Sequence, residues 1–463
     1  MPKPHLLTSV SLIKALRQHA PVSTTDLAQR LNVSVPTLHR ALKQVQSEVF
    51  STGGSKNTRY AARRPLRGHA SSLPIYNIDE FGVGHYLTSM ELVAPQGSFL
   101  YLKGMRWPVD VNHVSGWWGG LPYPIYDMQP QGFIGRNLAR SAQYDLAVSP
   151  NPNDWSDDDI VFVLKQRGFD VTGNLIVGDF AYEQWALRVA QPIEPCQSSM
   201  LEGYYLDQAV LAAAHGVVGS SAGGEFPKFT ALRDLAGAKT PHVIVKFSGG
   251  DDGLAVRRWS DLLVCEHLAL SMLGSTDGIR VASTRILQAK GRTFIESERF
   301  DRHGMFGRSA LCSLSSINAA MLGESENDWI KLSRQLTELN ACCDSVAQKV
   351  PLLWWFGRLI ANTDMHLGNL SFELASVELG QFTLAPAYDM LPMMYAPLAG
   401  GEVVDRNFVP VLPLPVYRDV WIEAVVLAID FWRMASEDIR ISLEFRMICR
   451  KNFEILKDVS QRV

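Results

Sequence analysis

The sequence lacks the features of a secreted or membrane protein. Its six cysteines show no C-x-x-C spacing, so we expect neither a disulfide framework nor a zinc site. No apolar run approaches the ~18 residues that a membrane span requires. The N-terminus also has no uninterrupted apolar core of the kind that a signal peptide carries. These absences favour a cytoplasmic protein with no membrane partner.

The chain as a whole has no strong charge imbalance, since its formal net charge is −3. The imbalance is local: residues 1–67 hold eleven Lys or Arg and two acidic side chains, a net +9, which leaves −12 on the other 396 residues. A basic segment ahead of an acidic body predicts that only the first segment meets nucleic acid. The length of 463 residues, 47% of them hydrophobic and 20% charged, is typical of a globular protein with about two to four domains.

Residues 8–46 have the apolar spacing of three short helices that include a helix-turn-helix. Residues 49–60 then predict a β-hairpin wing. Residues 1–64 therefore resemble a winged helix-turn-helix DNA-binding domain, although a three-helix protein-interaction module would have the same apolar pattern. The side chains expected to reach DNA are polar or basic and lie on the second helix of the motif or near the wing: Thr37, His39, Arg40, Lys43, Lys56 and Arg59.

Residues 63–74 are polar and predict a linker, and the chain from 75 to about 179 is β-rich and interrupted by Gly and Pro. We expect strands at 84–93 and 98–105, with Trp117 and Trp118 in the core rather than on a stacking surface. Residues 157–159, three consecutive aspartates, admit two interpretations: metal ligands or the acidic first turn of a helix. The helix dipole favours the second.

An α-rich domain begins near residue 180, and its first half holds features that suit a phosphate-binding site. The small-residue loop at 217–228 would let backbone N–H groups approach an anion, although it lacks the Walker A pattern and an ordinary connection is the alternative. Lys246 lies in a buried-strand pattern, where it needs an anionic partner or must reach solvent. Glu266 on the next helix either holds Lys246 or is an exposed, solvated charge. The strand at 292–298 ends where a two-lobed kinase would hold adenine.

The polar pattern with the most chemistry is D-x-H-x-x-N at Asp364, His366 and Asn369, followed after a strand by Asp389. In phosphoryl transfer, one carboxylate orients the attacking hydroxyl, a carboxamide five residues on holds a metal ion, and a second carboxylate binds the metal that bridges the phosphates. Asp and Asn are also ordinary turn residues, so a loop without chemistry is the alternative.

In order and spacing these parts resemble the HipA family of bacterial serine/threonine kinases, the toxin halves of toxin–antitoxin pairs, over residues 75–463. The resemblance implies an α+β fold with a small β-rich subdomain at 75–179 and a two-lobed, protein-kinase-like domain at 180–463 whose C-terminal lobe is all-α. It implies ATP and Mg²⁺ as cofactors, Asp364 as the catalytic residue, Asn369 and Asp389 as metal ligands, and autophosphorylation at Ser221. The implied nucleotide contacts are Ser221, Gly223, Gly224, Lys228, Lys246, Glu298, Phe300, His366, Asn369 and Tyr388.

The resemblance also implies a protein substrate, such as a translation factor or an aminoacyl-tRNA synthetase, and a separate antitoxin partner. Family toxins usually borrow a DNA-binding domain from the antitoxin, whereas this chain carries its own in residues 1–64. The fusion suggests a protein that represses its own operon. Two rival hypotheses stay open: a non-enzymatic transcriptional regulator whose kinase-like body senses a nucleotide or a partner, and a small-molecule phosphotransferase.

Overall fold

The structure is a computed structural model that describes residues 7–214, 226–375 and 380–463. The first domain is the predicted winged helix-turn-helix. Its three helices each begin at a hydroxyl side chain, Thr8, Ser23 or Ser34, which accepts a hydrogen bond from the first turn. The sheet order is β1-β3-β2, and the elements are α1 (Ser9–Gln18), β1 (Val22–Ser23), α2 (Thr24–Arg30), α3 (Val35–Gln44), β2 (Val49–Thr52) and β3 (Arg59–Ala62).

The wing packs directly against the next domain. The Phe50 ring on β2 lies 4.9 Å from the Phe99 ring and 5.5 Å from the Trp117 ring, measured between centroids. The Ala94 N–H donates to the Ala62 carbonyl at 2.9 Å. Apolar contact and backbone hydrogen bonding therefore join the first domain to the second.

The prediction of a polar linker at 63–74 is wrong, because its arginines are fixed to the second domain and its last residues enter a strand. Each arginine forms an ion pair with an acidic residue that is distant in sequence. Three of the eleven basic charges counted in residues 1–67 are thus neutralised locally. The pairs are Arg63 with Glu91, Arg64 with Asp158 and Arg67 with Asp159.

The second domain is a five-stranded sheet of order β7-β6-β5-β4-β8 with helices against it. Trp117 and Trp118 are buried, as predicted. Residues 157–159 form the first turn of a helix that Ser156 caps, which confirms the helix interpretation. The elements are β4 (Ser72–Ile78), β5 (Gly84–Val93), β6 (Gly97–Phe99), β7 (Trp117–Trp118), α4 (Tyr123–Asp127), α5 (Gly132–Ala142), α6 (Asp157–Arg167), β8 (Leu175–Val177) and α7 (Asp179–Ala190).

The strand predicted at 98–105 is mostly absent. Pairing with β7 ends at Phe99, and Leu102–Met105 forms a 3-10 helix instead. The Trp107 N–H donates back to the Leu102 carbonyl at 3.1 Å, and Arg106 takes a left-handed conformation with φ of 64°. Local hydrogen bonds replace the ladder because β7 is only two residues long.

The third region opens with a five-stranded sheet of order β12-β13-β11-β10-β9. Its central strands are antiparallel, and a long helix, α9, lies against β12 and β13. The elements are β9 (Cys196–Gln197), α8 (Leu201–Ala214), β10 (Lys228–Asp234), β11 (His242–Phe247), α9 (Leu254–Gly274), β12 (Thr284–Ala289) and β13 (Arg292–Glu298).

The C-terminal lobe is mainly helical, with α12 packed between α11 and α13, and α13 against α14. It departs from the all-α expectation in two small sheets among the described residues, one of order β14-β15 and one of order β16-β17-β18. The second sheet frames the Asp364 loop and the Asp389 segment. The elements are β14 (Arg302–His303), β15 (Gly307–Arg308), β16 (Cys312–Ser313), α10 (Leu314–Met321), α11 (Trp329–Glu338), α12 (Asp344–Leu359), β17 (Ser371–Leu374), β18 (Phe382–Leu384), α13 (Arg418–Glu437) and α14 (Leu443–Ser460).

One apolar core runs through the second domain and both lobes of the third region, from Leu92 to Leu262 and Trp432. The division predicted at 75 falls inside β4, and the division predicted at 179 falls on the first residue of α7. The domain boundaries themselves stay a prediction. Within the described residues, no helix is both long and apolar enough to cross a membrane.

Candidate active site

Lys246 lies at the centre of the candidate site. Strand β11 runs between β10 and β13, and places Lys246 opposite Lys228 on one side and Ile295 on the other. The Lys246 Nζ atom donates to both carboxylate oxygens of Glu266 at 2.8 and 2.9 Å, and to Asp389 Oδ1 at 2.5 Å. The Lys246 side chain is only 10% exposed. The structure therefore gives this lysine two anionic partners and excludes the alternative that it reaches solvent.

Glu266 anchors the lysine from α9. Its side chain is 3% exposed, so the alternative of a solvated surface charge is wrong. Burial raises the pKa of Glu266, while the Lys246 ammonium acts in the opposite direction. For Lys246 itself, burial disfavours the charge, but Asp389 and Glu266 outweigh it and raise the pKa of the lysine. Each group of this cluster thus depends on its neighbours for its charge state.

Asp389 forms the second contact of the lysine and adopts a left-handed backbone, with φ of 54°. Its side chain is 29% exposed, so part of the carboxylate is accessible to a ligand. Burial alone would raise the pKa of Asp389, but the positive charges of Lys246 and Lys228, together with the hydrogen bond from Lys246, outweigh burial and lower it. Asp389 is therefore a carboxylate, not a carboxylic acid, at neutral pH.

Asn362 connects Asp389 to the predicted catalytic loop. Its Nδ2 atom donates to the Asp389 carbonyl at 3.2 Å, and its Oδ1 atom accepts from the Asp364 N–H at 3.0 Å. The sequence analysis did not identify this residue. The signal available in the sequence is a polar side chain three residues after a strongly apolar helix; its burial is known only from the structure.

The Asp364 loop is held by its own side chains and by Tyr388. The Asn369 Nδ2 atom donates to the Asp364 carbonyl at 2.7 Å, and the His366 Nδ1 atom accepts from the Gly368 N–H at 3.1 Å. The Tyr388 hydroxyl donates to the Gly368 carbonyl at 2.7 Å. Burial raises the pKa of Tyr388, which keeps this hydroxyl protonated as a donor. The loop and the Asp389 segment are therefore a connected unit.

The two hinge residues lie in different surroundings. The Phe300 ring is 5.8 Å from the Tyr388 ring, between centroids, which brings it beside the Asp364 loop. The Glu298 carboxylate instead pairs with Arg233 Nη2 at 2.8 Å, and the Glu298 N–H donates to the Ser283 carbonyl at 2.9 Å. Glu298 is thus engaged at the end of the sheet and is not part of the Lys246 cluster.

The remaining predicted contacts concern the loop before β10. Lys228 begins β10 opposite Lys246, and its positive charge helps to lower the pKa of Asp389. Ser221, Gly223 and Gly224 lie outside the described residues.

The donor atoms of the site suit a hard cation shared with a phosphate. Asp389 offers a charged oxygen, and Asn369 uses its amide nitrogen for the loop, so its oxygen is the atom that suits a metal. Among the described residues, no group of three or more His, Cys, Asp or Glu side chains could hold a metal by itself. Mg²⁺ sites in nucleotide-dependent enzymes use one or two protein oxygens together with substrate phosphates, so Asn369 and Asp389 fit that role.

The predicted DNA-contacting residues are accessible on the first domain. His39, Arg40 and Lys43 are exposed on α3, and Lys56 and Arg59 are exposed on the wing. The sixth predicted contact, Thr37, is half-buried and lies 2.9 Å from the Ser34 hydroxyl at the helix start.

Three family models match consecutive parts of the chain. One described as "Winged helix-turn-helix DNA-binding" matches residues 8–48, one described as "YjjJ-like toxin, middle domain" matches 69–186, and one described as "HipA-like C-terminal domain" matches 220–442. These matches confirm the predicted HipA resemblance and the predicted winged helix.

The chain is 34% identical over 458 residues to Toxin YjjJ of Escherichia coli (strain K12), an alignment that covers 98% of this chain and 99% of that protein. Among solved structures, it is similar to the HipA chain of the Shewanella oneidensis MR-1 complex of HipA, HipB and operator DNA, with 14% identity, a TM-score of 0.49, and coverage of 84% of this chain and 97% of that one. It is also similar to the Helicobacter pylori proinflammatory kinase CtkA, with 12% identity, a TM-score of 0.33, and coverage of 50% and 92%.

The family assignment follows from the near-complete alignment and from the three family models, not from the structural likenesses. The protein belongs to the YjjJ-type toxins, HipA-like proteins with an N-terminal winged helix-turn-helix domain.

Proposed function

We propose that the protein is an ATP- and Mg²⁺-dependent serine/threonine protein kinase that transfers the γ-phosphate to a protein hydroxyl. One observation carries the proposal. The Lys246 Nζ atom donates hydrogen bonds of 2.5–2.9 Å to Glu266 and Asp389, and Asn362 connects Asp389 to the Asp364 loop by two further hydrogen bonds. An ammonium for phosphates and a carboxylate for a metal thus lie beside a loop with a further carboxylate, as phosphoryl transfer requires.

In this proposal each residue has a separate role. Lys246, fixed by Glu266, pairs with the α- and β-phosphates of ATP. Asn369 and Asp389 hold Mg²⁺, and the bound ion neutralises charge on the phosphates. Asp364 orients the substrate hydroxyl and accepts its proton late in the transfer. The ion pair of Lys246 with Asp389 supports these roles because it places the phosphate-binding and metal-binding groups side by side.

The other predicted contacts surround this centre. We propose that Lys228 and the loop with Ser221, Gly223 and Gly224 cover the phosphates. Phe300, His366 and Tyr388 shape the nucleotide site at the Asp364 loop, and Glu298 ends the strand that faces adenine. Autophosphorylation of Ser221 would add about two negative charges to the loop and so expel it from the site.

The decisive experiment is incubation of the purified full chain with [γ-³²P]ATP and Mg²⁺, alone and with a cell lysate. We expect label on the chain, at Ser221 by mass spectrometry, and on a lysate protein. Asp364→Asn should abolish both, whereas Ser221→Ala should remove only the label on the chain. The absence of label on any protein, together with equal growth effects of the wild type and Asp364→Asn, would end the proposal.

The substrate class is part of the proposal. We expect a protein of the translation machinery, such as a translation factor or an aminoacyl-tRNA synthetase, and a separate antitoxin partner. A small-molecule phosphotransferase shares the same chemistry, so purified assays with proteins and with metabolite extracts distinguish the two. Label in metabolites but in no protein would replace the protein-kinase assignment.

A second function, DNA binding, is favoured by the exposed basic residues of α3 and of the wing. We propose that they bind DNA, so Arg40→Ala and Lys43→Ala should each weaken the gel shift on the upstream DNA. Each should also lower the slope of the logarithm of the binding constant against the logarithm of the salt concentration by about one, as expected for the loss of one phosphate contact. Point variants are preferable to removal of residues 1–64, because that removal would expose the aromatic surface of Phe99 and Trp117. A gel shift with and without ATP, in a protein that labels nothing, would favour the non-enzymatic regulator instead.

A further inference from the structure

A cavity lies between the second domain and the sheet that contains β10 and β11. Its volume is about 360 Å³, which is within the range of small-molecule sites. Trp185 and Arg188 of α7 form one wall, and Leu232 of β10 and His242 of β11 form another. His242 begins β11, and Lys246 lies four residues further along the same strand. The cavity and the candidate active site are therefore at opposite ends of one strand.

Three buried arginines border this cavity, and in the part of the chain that the structure describes two carboxylates pair with them. Arg299 and Arg302 donate to Asp301 at 2.6–3.2 Å and to Asp170 at 3.3 and 2.9 Å. Arg308 lies 3.9 Å from the same oxygen of Asp170, beyond hydrogen-bond distance. Arg188 and Glu194, which carry opposite charges, also line the cavity and leave this difference unchanged. The cluster therefore carries one excess positive charge.

Two of these guanidinium groups retain unsatisfied donors. Within the described residues, Arg308 Nη1 and Arg302 Nε are buried and have no hydrogen-bond partner. The Arg308 side chain is 5% exposed, and buried donors in folded proteins are usually paired. Burial and the adjacent positive charge of Arg302 lower the pKa of Arg308 to about 9, so it stays charged at neutral pH. Arg308 Nη2 donates to the Phe169 carbonyl at 2.7 Å, so the unmet donor of this buried cation is Nη1.

The rest of the wall is apolar and partly aromatic. It includes Phe169, Trp185, Ile193, Val243 and Phe306. A wall of this composition binds an apolar body, while the few convergent polar groups select its charge and orientation. A free inorganic anion would leave these surfaces uncovered, and a neutral apolar molecule would leave Arg308 unpaired.

We propose that this cavity is a binding site for a small amphipathic monoanion, an aromatic or aliphatic carboxylate, whose charged group accepts from Arg308 Nη1 and whose body lies between Trp185 and Phe306. One negative charge matches the excess charge of the arginine cluster. The site is distinct from the Lys246 cluster and does not depend on the proposed kinase activity.

The proposal is tested by titrating the purified full chain with 1-naphthoate in a calorimeter. Acetate, which has the charge without the body, and 1-naphthol, which has the body without the charge, are the matched probes. We expect 1-naphthoate to bind at least tenfold more tightly than either one. Arg308→Met should weaken binding by roughly tenfold or more, as expected for the loss of a charged hydrogen bond.

Two further variants separate binding from folding. Thr230→Trp fills the cavity from β10 and keeps every arginine, so it should abolish binding even if Arg308→Met proves too unstable to measure. Arg285→Met is the control, because Arg285 also pairs with a buried glutamate and has a buried Nε without a partner, but does not line the cavity. It should leave the affinity unchanged.

Lys246→Met tests the location of the probe and should also leave the affinity unchanged. The proposal is overturned if 1-naphthoate binds no better than acetate or 1-naphthol, or if Thr230→Trp retains wild-type affinity. Loss of binding in a Lys246→Met protein that urea denaturation shows to be folded would likewise overturn it, because the probe would then occupy the Lys246 site. Failure of ATP-dependent labelling with intact 1-naphthoate binding would affect only the kinase proposal.

Discussion

The two ends of β11 carry buried charge clusters of opposite balance. At Lys246, one ammonium contacts two carboxylates, Glu266 and Asp389. At the other end, three arginines share two aspartates, and two of their donors remain unpaired. A cluster in which the carboxylates outnumber the ammonium they contact suits a metal cation. A cluster in which the guanidinium groups outnumber the carboxylates suits an anion. Cluster composition, and not burial alone, thus indicates which ligand each end can accept.

The largest loss of stability is expected from substitution of Lys246, the shared partner of Glu266 and Asp389. Lys246→Met removes the ammonium shared by the buried Glu266 and the partly exposed Asp389, and should lower the free energy of unfolding by about 3–5 kcal/mol. Urea denaturation of the full chain measures this change.

Lys331 provides a matched control for Lys246. It also contacts two carboxylates, Glu324 and Glu326 at 3.0 and 3.1 Å, but its side chain is 38% exposed. Exposed ion pairs contribute little, so Lys331→Met should leave the unfolding midpoint unchanged. Equal effects of the two substitutions would show that burial does not distinguish these lysines.

The arginine cluster should respond unevenly to substitution. Arg302 donates to the carboxylates of Asp170 and Asp301 and to three backbone carbonyls, so Arg302→Met should cost about 3 kcal/mol of unfolding free energy. Arg308 Nη2 donates to the Phe169 carbonyl at 2.7 Å, and the positive charge of Arg302 disfavours the charge of Arg308, so Arg308→Met should cost only about 1 kcal/mol. The same denaturation series checks both, and a larger loss for Arg308 would contradict the excess of positive charge.

The smallest effect is expected between the two clusters, at Glu298. The Glu298 carboxylate pairs with Arg233, and the Glu298 N–H donates to a backbone carbonyl. Glu298→Gln should therefore change the affinity for ATP by less than about threefold. A tenfold change in affinity would correspond to roughly 1.4 kcal/mol. Calorimetric titration with MgATP measures it. A tenfold loss would place nucleotide contacts closer to the arginine cluster than we propose.

Local sequence patterns predicted the elements that depend on neighbours along the chain. The apolar spacing of residues 8–46 gave the three helices, and the β-branched run around Lys246 gave a buried strand. The pattern D-x-H-x-x-N correctly marked a compact polar loop, because its side chains bond within the loop. The identity of Glu266 as the lysine's anchor stayed open, because a helical pattern does not reveal which face meets β11.

Contacts between distant segments could not be predicted in this way. Asp170 meets Arg302 across 132 positions, and Arg64 meets Asp158 across 94. The first contact creates the arginine cluster, and the second turns a polar stretch that resembles a linker into a fixed connection. Neither leaves a local signal, since isolated charges have the same spacing whether they pair or remain solvated.

The most direct test of the proposed Lys246 site is the affinity of the full chain for ATP, measured by calorimetry with and without Mg²⁺. We predict that Mg²⁺ tightens ATP binding in the wild type and that Asp389→Asn, which keeps the shape of the side chain but removes its charge, loses that Mg²⁺-dependent gain. An equal gain in both proteins, or no ATP binding by the wild type, would contradict the assignment of this buried cluster as the site of MgATP.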